Sequence, residues 1–369
     1  MNKLQQTISN IVHLPASAAE RAQARLDSLT KPPGSLGRLE EIARQLVAIT
    51  GAERPSVRRK SVIVMAGDHG VTAEGVSAYP QAVTAQMVLN FLHGGAAINV
   101  LARHAGARLV VVDIGVNAEF PPATKPADTS GNVEFLRRKV APGTRNFARE
   151  AAMTHDEAVA ALTTGIEVVE AEIARGAELI ATGDMGIGNT AASSAIVAAM
   201  TGQPVAKITG RGTGINDAGL AKKIEVIGSA LALHGLTKPG SAGILPAMPA
   251  LDLLAKVGGL EIAGLGGVIL GAAAARRPVV LDGFISGAAA LVAAGLAPNV
   301  AQFCFAAHRS VEAGHRVMLE TLGLKPIVDL DLRLGEGTGA ALAMHLIEAA
   351  AKIYNEMATF AEAGVAEKH

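Results

Sequence analysis

The sequence predicts an α/β protein in which a doubly wound parallel sheet is flanked by helices. Short β-branched runs alternate with longer segments whose apolar residues recur at helical spacing, which is the pattern of successive βα units. Aromatic residues make up 3% of the 369 residues and Trp is absent, as is typical of small-residue helices packed closely on a sheet. Most β-branched runs end in Gly or a polar residue, so we expect function at the carboxyl ends of the strands.

The alternation gives the elements in order. The predicted strands are 61–68, 108–115, 178–184, 278–284, 303–308 and 326–333, with a further candidate at 205–210. The predicted helices are 36–50, 83–105, 155–175, 189–201, 218–234, 260–276, 310–322 and 338–363. Thr154 and Glu157 form a capping box before the third helix. The stretch 117–146 contains PPATKPADTSGN and is predicted to be a long loop that covers a site or a partner surface.

The two ends of the chain are helical in character and flank the alternating region. We expect a large domain at 29–324 that holds the sheet, with the strand at 326–333 extending it. Residues 1–28 together with 325–369 are expected to form a small, mainly helical domain. A single core stops growing at roughly 250 to 300 residues, so the chain is long enough for both.

Charge and cysteine content restrict the partners and the compartment. Lys plus Arg and Asp plus Glu are balanced at 33 each, so nothing draws the protein to nucleic acid or to an anionic membrane. The single cysteine, Cys304, excludes an intramolecular disulfide framework and fits a reducing compartment. The N-terminal MNKLQQTISNIVHL lacks a continuous apolar core. We therefore expect a cytoplasmic protein whose partners are small molecules or copies of itself.

Three glycine-rich segments are candidate ligand loops. GDMGIGNT at 183–190 joins a strand to a helix, where free N–H groups and the helix dipole favour an anion, although tight strand–helix packing is an alternative. GRGTG at 210–214 is followed by Lys222 and Lys223, which either bind a phosphate or form a solvated pair. GLGG at 264–267 requires a close backbone approach, either to a ligand or to a neighbouring helix.

The loop LGEGTG at 334–339 is the strongest catalytic candidate. Glu336 is its one acid, and burial in an apolar pocket would raise its basicity, although a carboxylate that complements the helix N-terminus is the alternative. Asp68 and His69 end the first strand without a second cluster at ligand spacing, so a structural or substrate-orienting role is favoured and no metal is assigned. Asp282 and Ser310 stand at other strand ends and are candidates for substrate contact.

Several segments together resemble one family closely. They are KPPGSLGRLE at 31–40, AGDHGV at 66–71, SAYPQAVTAQM at 77–87, GDMGIGNT at 183–190, KVGGLEIAGLGGVILGAA at 256–273, LDGFISGAAAL at 281–291 and LRLGEGTGAALAM at 332–344. They resemble the nicotinate-nucleotide:dimethylbenzimidazole phosphoribosyltransferases of cobalamin lower-ligand synthesis, in order along nearly the whole chain. The resemblance implies a homodimer with a Rossmann-like parallel sheet and a small domain made from both termini. It places the active site at the carboxyl edge of the sheet.

The resemblance also implies roles for individual residues. Glu336 corresponds to the general base of the family's R-L-G-E-G motif, and Asp184 to the acid of its G-[DE]-x-G segment. The residues implied for the donor phosphate and ribose are Gly186, Asn189, Gly212, Lys223, Gly266 and Gly267. The residues implied for the acceptor base are Tyr79, Pro80, Met87, Asp282 and Ser310. Some family members carry serine in place of Tyr79 or glutamate in place of Asp184, which bears on acceptor preference.

The chemistry of this reaction fits the residues. Nicotinate leaves nicotinate mononucleotide as a neutral pyridine ring, so we expect neither metal nor cofactor, and Glu336 takes the proton that the attacking benzimidazole loses. Attack with inversion gives α-ribazole 5′-phosphate. A dinucleotide-dependent oxidoreductase is disfavoured because no G-x-G-x-x-G follows the first strand. A nucleotide-sensing protein without catalysis remains an alternative, in which Glu336 would be dispensable.

Overall fold

A six-stranded parallel sheet forms the centre of the protein. The computed structural model describes residues 2–121, 124–127, 131–237 and 249–366. Its strands are β1 (Lys60–Gly67), β2 (Ala107–Gly115), β3 (Val133–Arg137), β4 (Leu179–Met185), β5 (Val279–Leu281) and β6 (Cys304–Ala306). They are ordered β3-β2-β1-β4-β5-β6, and every neighbouring pair is parallel. The predicted α/β class with a parallel sheet is confirmed.

The strand order reverses between β1 and β4, which creates a crevice at their carboxyl ends. Lys60 pairs with Ala107 on one side and with Leu179 on the other, so β1 is the central strand. All eight residues of β1 are buried, because helices cover both faces of a parallel sheet. In open parallel sheets, ligands bind at such a reversal. The loops after β1 and β4 are therefore where the fold positions a site.

Helices cover the sheet on both faces. They are α1 (Lys3–Ser9), α2 (Ala16–Ser28), α3 (Arg38–Thr50), α4 (Val83–His93), α5 (Ala97–Ala105), α6 (His155–Ala174), α7 (Asn189–Thr201), α8 (Val205–Ile208), α9 (Asp217–Leu233), α10 (Ala250–Val257), α11 (Leu260–Ala274), α12 (Phe284–Leu296), α13 (His315–Leu322), α14 (Thr338–Glu356) and α15 (Phe360–Ala363). The predicted capping box before α6 is confirmed: Thr154 Oγ1 accepts from the N–H of Glu157, and the Glu157 carboxylate accepts from the N–H of Thr154. Neither α10 nor α12 was predicted.

Two predicted strands and one predicted loop were wrong. The segment 326–333 is irregular and forms one isolated bridge, between Val328 and His308, which lies beyond the end of β6, so it does not extend the sheet. The candidate at 205–210 is instead the short helix α8. Within the predicted long loop at 117–146, β3 pairs with β2 at the sheet edge. Parts of that loop, 122–123 and 128–130, lie outside the described residues.

Three predicted helices are shorter than expected. The segment 83–105 is divided into α4 and α5, because Gly94 takes a φ of 79° and ends the first helix. The segment 310–322 is helical only from His315. The last long helix stops at Glu356, and α15 follows after a short break.

One stretch of the described residues, Val83–Ala105, is apolar and long enough to cross a membrane by length and composition alone, with a mean hydropathy of 1.2. It is the stretch that Gly94 divides. The first helix packs on the sheet, and the second packs on β2 and α14. The apolar character of this stretch is therefore explained by packing within the fold.

The two ends of the chain contact each other. Arg25 on α2 donates from Nε to the carbonyl oxygen of Tyr354 at 2.9 Å, and its guanidinium lies 5.5 Å from the Tyr354 ring centroid. Leu29 forms an antiparallel bridge with Thr359. Helix α14 also contacts α5 and β4. The division into domains at 29–324 and at 1–28 plus 325–369 stays a prediction.

The glycines of α11 serve helix packing. A Cβ on Gly267 would collide with the backbone oxygen of Leu162 on α6, and one on Gly266 would lie 3.3 Å from a Leu162 methyl group. All of α11 except its last residue, Ala274, is buried. The predicted phosphate or ribose contact of Gly266 and Gly267 is therefore not supported, because their close approach is to a neighbouring helix. Of the two alternatives for the 264–267 segment, the position in the fold favours packing.

A Gly267→Ala substitution is expected to lower the free energy of unfolding by about 3 kcal/mol, because α6 and α11 must separate to admit the methyl group. Gly228→Ala on α9 is the matched control, since a Cβ there meets nothing within 4 Å. The control is expected to be about 0.5–1 kcal/mol more stable than wild type, because alanine has the higher helix propensity. Urea denaturation measures both. Equal stabilities for the two variants would contradict the packing role.

Candidate active site

The loop after β4 brings together the predicted acid and the glycines. Asp184 is buried, and its Oδ2 accepts from Asn189 Nδ2 at 3.0 Å, while Oδ1 has no hydrogen-bond partner. Burial, followed by the charges of Asp282 and Glu261, holds the pKa of Asp184 well above its usual range. Gly188 has a φ of 98° at the start of α7, a backbone conformation that favours glycine. Asp184 is therefore a buried acid whose protonated form is favoured by its surroundings, with one oxygen that has no hydrogen-bond partner.

A buried contact between a histidine and a glutamate lies next to this loop. His69 Nε2 and Glu261 Oε1 lie 2.6 Å apart, and neither side chain is exposed. Burial opposes the charge on His69, but the adjacent Glu261 carboxylate raises the pKa of His69 above its usual value. A Cβ on Gly186 would collide with the backbone oxygen of Gly67 and would lie 3.4 Å from His69 Nε2. Gly186 is thus required where the β1 and β4 loops meet.

The loop that carries Glu336 has an unusual backbone. Gly335, Glu336 and Gly337 have φ values of 84°, 64° and 91°. A non-glycine residue with positive φ carries strain and often marks a functional position. The loop is held against β4, because a Cβ on Gly183 would collide with the carbonyl oxygen of Glu336. The glycines on either side of Glu336 are therefore required by a left-handed turn, and this turn sets the direction of the Glu336 side chain.

The carboxylate of Glu336 is buried and only partly satisfied. It is 6% exposed, and Oε2 has no hydrogen-bond partner. Burial raises the pKa of Glu336 to about 7; the Ile98 N–H opposes this shift and the Asp282 charge adds to it. The alternative was that Glu336 only complements a helix terminus. It is supported in part, because the Ile98 N–H that bonds to Glu336 belongs to the first turn of α5. The free oxygen and the raised pKa are the properties of a general base.

Asp282, at the end of β5, holds the Glu336 loop in place. Its Oδ2 accepts from the N–H of Gly337 and its Oδ1 from the N–H of Ala340, both at 3.0 Å. Burial raises the pKa of Asp282 to about 7 against these N–H groups. Both oxygens are occupied by the first turn of α14, so the predicted contact of Asp282 with the acceptor base is not supported. Its position is that of a residue that orients Glu336.

An Asp282→Asn substitution is expected to lower kcat by at least tenfold, because the new amide group faces an N–H donor and the Glu336 loop must shift, at a cost of about 1–3 kcal/mol. Asp113→Asn is the matched control: Asp113 is a buried acid at the end of β2 whose Oδ1 accepts from Val116 N. The control should lose similar stability and keep its kcat. Steady-state kinetics and thermal melting distinguish the two, and a normal kcat in Asp282→Asn would contradict the positioning role.

Cationic groups converge on the glycine loop at 210–214. Lys223 is 1% exposed, and its Nζ donates to Thr190 Oγ1 at 2.7 Å and to the carbonyl oxygen of Gly210 at 3.3 Å. Burial lowers the pKa of Lys223 to about 8. Arg333 donates from Nη1 to the carbonyl oxygen of Gly212 at 3.2 Å. The alternative of a solvated lysine pair fails for Lys223, whereas Lys222 is exposed.

Gly212 and Arg333 line a cavity of about 490 Å³ at the carboxyl edge of the sheet, whereas Lys223 is not among its lining residues and contacts Thr190, which is. Of the predicted residues, the cavity brings together Tyr79, Asp184, Asn189, Gly212 and Ser310. Tyr79 is 53% exposed at its mouth. Pro80 and Met87 are not among its lining residues; Pro80 is exposed, and Met87 is partly buried on α4, one turn beyond Thr84. Thr84 Oγ1 accepts from the N–H of Ile187, which places α4 over the β4 loop.

Several site residues were missed in the sequence. Arg333 stands inside the LRLGEG motif beside Glu336, and Glu261 is the one acid in the apolar run of α11, so both carried a usable signal. His315 is buried and its Nδ1 accepts from the N–H of Ser310 at 2.9 Å. Burial, with His308 nearby, lowers the pKa of His315 to about 3, so it is a neutral acceptor.

In the ranges that the structure describes, no three His, Cys, Asp or Glu side chains are grouped as a metal site.

The fold is that of an α/β enzyme, and its site offers groups that suit a phosphorylated sugar or nucleotide. A glycine loop with a buried lysine and an arginine has the chemistry of an anion site. Glu336, whose carboxyl group has a raised pKa, follows Gly335 of the cavity wall but is not itself among the lining residues.

Comparison with known proteins names the family. A family model described as phosphoribosyltransferase matches residues 11–365. The nicotinate-nucleotide–dimethylbenzimidazole phosphoribosyltransferases of Chloroflexus aggregans and Geobacter sulfurreducens are each 58% identical to this chain, over 100% of it and 99% of their own length. The crystal structure of CobT from Thermus thermophilus superposes with a TM-score of 0.87 at 49% identity, covering 95% of this chain and 100% of that one. The chain belongs to the nicotinate-nucleotide–dimethylbenzimidazole phosphoribosyltransferase family.

Proposed function

We propose that the protein transfers the phosphoribosyl group of nicotinate mononucleotide to 5,6-dimethylbenzimidazole, giving nicotinate and α-ribazole 5′-phosphate for cobalamin biosynthesis. The relatives at 58% identity carry the name of this reaction over their full length. The observation that carries the mechanism is Glu336, a buried carboxylate with one unpartnered oxygen and a pKa of about 7. Such a group takes a proton readily at neutral pH.

The reaction balances without any further reactant. One acceptor ring nitrogen attacks the anomeric carbon while the C–N bond to nicotinate breaks, and the electron pair of that bond stays on the pyridine nitrogen. The proton on the other acceptor nitrogen passes to Glu336 Oε2. Because the leaving group departs neutral, no metal is required to stabilise it. Attack from the face opposite to the leaving group inverts the anomeric centre.

Contacts to the phosphate and to the ribose of the donor would hold its anomeric carbon in position for attack. We assign its phosphate to Gly212, Lys223 and Arg333, which converge on one loop. Asp184 and Asn189 are hydrogen-bonded to each other and line the cavity together with Gly212 and Gly335, and we assign them to the ribose. Phosphate contacts remote from the reacting carbon lower the barrier by fixing the geometry. Tyr79 and Ser310 are assigned to the acceptor side, where they line the cavity.

We also propose a homodimer in the cytoplasm. Exposed apolar side chains, including Tyr79 and Leu334, surround the mouth of the cavity, and Leu334 is 58% exposed. Such residues favour a protein contact near the site. Cys304 is free and buried, as is usual in a reducing compartment.

Incubation with nicotinate mononucleotide and 5,6-dimethylbenzimidazole in the presence of EDTA tests the function. We expect nicotinate and ribazole phosphate in equal amounts by chromatography, with only the α-anomer detected by NMR. A β product would overturn the inversion mechanism. Tight donor binding without turnover on any benzimidazole would favour the nucleotide-sensing alternative.

A further inference from the structure

Glu312 is a carboxylate inside the proposed phosphate site. It lies between β6 and α13, where its N–H donates to Ser310 Oγ at 3.4 Å and its carbonyl oxygen accepts from His315 N at 3.0 Å. Its side chain reaches the 210–214 loop so closely that a Cβ on Gly210 would collide with Oε2. That oxygen is buried and has no hydrogen-bond partner. Gly210 is therefore needed to admit this carboxylate.

The groups around this carboxylate are those of an anion site. Burial raises the pKa of Glu312, whereas the charges of Lys223 and Arg333 and the N–H of Gly212 act in the opposite direction. The same three groups are assigned above to the donor phosphate. Glu312 also lines the cavity with Gly212 and Arg333. Glu312 thus places a carboxyl group among the groups that the donor phosphate would use.

A phosphate and an ionised carboxylate cannot share this space at low cost, because like charges in a poorly solvated cavity repel strongly. We propose that Glu312 is a resident anion that keeps Lys223, Arg333 and the 210–214 loop assembled in the empty enzyme and leaves the site when the donor phosphate enters. The inference rests on the proposed function for the identity of the donor. Glu312 is only partly buried, so its side chain has solvent on one side to move into.

Calorimetric titration at pH 7 tests the proposal with inorganic phosphate and with nicotinate mononucleotide. Glu312→Gln is expected to bind both about tenfold more tightly than wild type, because the competing charge is gone. Asp217→Asn is the matched control: Asp217 pairs with Arg211 beside the same loop and its side chain is 93% exposed. The control should bind both ligands within about twofold of wild type.

The opposite results have distinct meanings. Weaker nucleotide binding by Glu312→Gln with unchanged phosphate binding would show that Glu312 accepts from the ribose, and weaker phosphate binding would show a fixed scaffold role; either result overturns the proposal. If Glu312→Gln binds phosphate more tightly but wild type transfers no phosphoribosyl group, the proposed function fails and the resident anion stands.

Thermal melting provides a readout that does not depend on binding isotherms. Phosphate is expected to raise the Tm of Glu312→Gln more than that of wild type, because in wild type the ligand must first displace the Glu312 carboxylate. Glu312→Asp keeps the charge on a shorter side chain and should show the wild-type response to phosphate. Equal phosphate-induced shifts in Glu312→Gln and wild type would contradict displacement.

Discussion

Replacing Glu336 by Gln is expected to lower kcat by about 10²–10⁴-fold, the usual contribution of a general base. Glutamine has nearly the same shape and removes only the proton-accepting oxygen, so donor binding should change little. The reason is structural: Oε2 is buried, unpartnered and aimed by a left-handed turn. Initial rates of nicotinate release, measured with saturating substrates, check the loss of kcat. Turnover at the wild-type rate would make Glu336 dispensable and would support a binding protein without catalysis.

The same substitution is expected to stabilise the folded protein. Burial raises the pKa of Glu336 to about 7 from 4.5, so the folded state binds this proton more tightly than the unfolded state. Wild type therefore loses stability as pH rises from about 4.5 to 7, and the neutral glutamine does not. We expect Glu336→Gln to exceed wild type by about 1–3 kcal/mol at pH 8 and by nothing below pH 4.5. Urea denaturation at both pH values measures this; a destabilised variant at pH 8 would indicate that the carboxylate is satisfied.

Replacing Lys223 by Met is expected to raise KM for nicotinate mononucleotide by roughly 10- to 100-fold, because a charge-assisted hydrogen bond of about 1.5–3 kcal/mol is lost. Met fills the buried space, so folding should be retained. Lys222→Met is the matched control, since Lys222 is the exposed neighbour on α9. Its KM should stay within about twofold of wild type. Similar losses in the two variants would show that general positive charge is sufficient.

The depressed pKa of Lys223 adds a pH signature to this prediction. Burial lowers the pKa of the free enzyme's lysine to about 8, so its charge is lost as pH rises through that value. Donor affinity is expected to fall above pH 8 in wild type and to show no such fall in Lys223→Met. Calorimetry at pH 7 and pH 9 measures the difference. An equal pH dependence in both proteins would exclude Lys223 as its source.

The parallel sheet could be predicted because its central strands are unbroken apolar runs. β1, β2 and β4 are read directly from VIVMAG, VVVDIG and LIATGD, since helices bury both faces of each strand. The strands at the edges of the sheet were harder to predict. β3 reads VEFLR and is half exposed, so its pairing depends on β2 and not on its own pattern. The run at 326–333 has strand composition but finds only one bridge.

Site residues could be predicted from the sequence where their chemistry is set by the loop that contains them. They could not be predicted where their role depends on tertiary contacts. Glu336 and Lys223 stand in or near glycine loops, and their chemistry follows from that setting. Gly267 carries the same local signal, yet α6 and not a ligand takes the space beside it. Asp282 faces a helix end, and Glu312 reaches a loop about a hundred residues earlier in the chain; neither contact is encoded in local spacing.

The dependence of kcat on pH, measured at saturating substrates for wild type beside Glu336→Gln, tests the central claim most directly. If Glu336 accepts the acceptor's proton, wild-type kcat rises with pH through about 7, the pKa of this carboxyl group, and this limb is missing from the residual activity of the variant. A limb near pH 7 that persists in the variant, or a wild-type kcat that is flat across this range, would contradict the assignment of Glu336 as the general base.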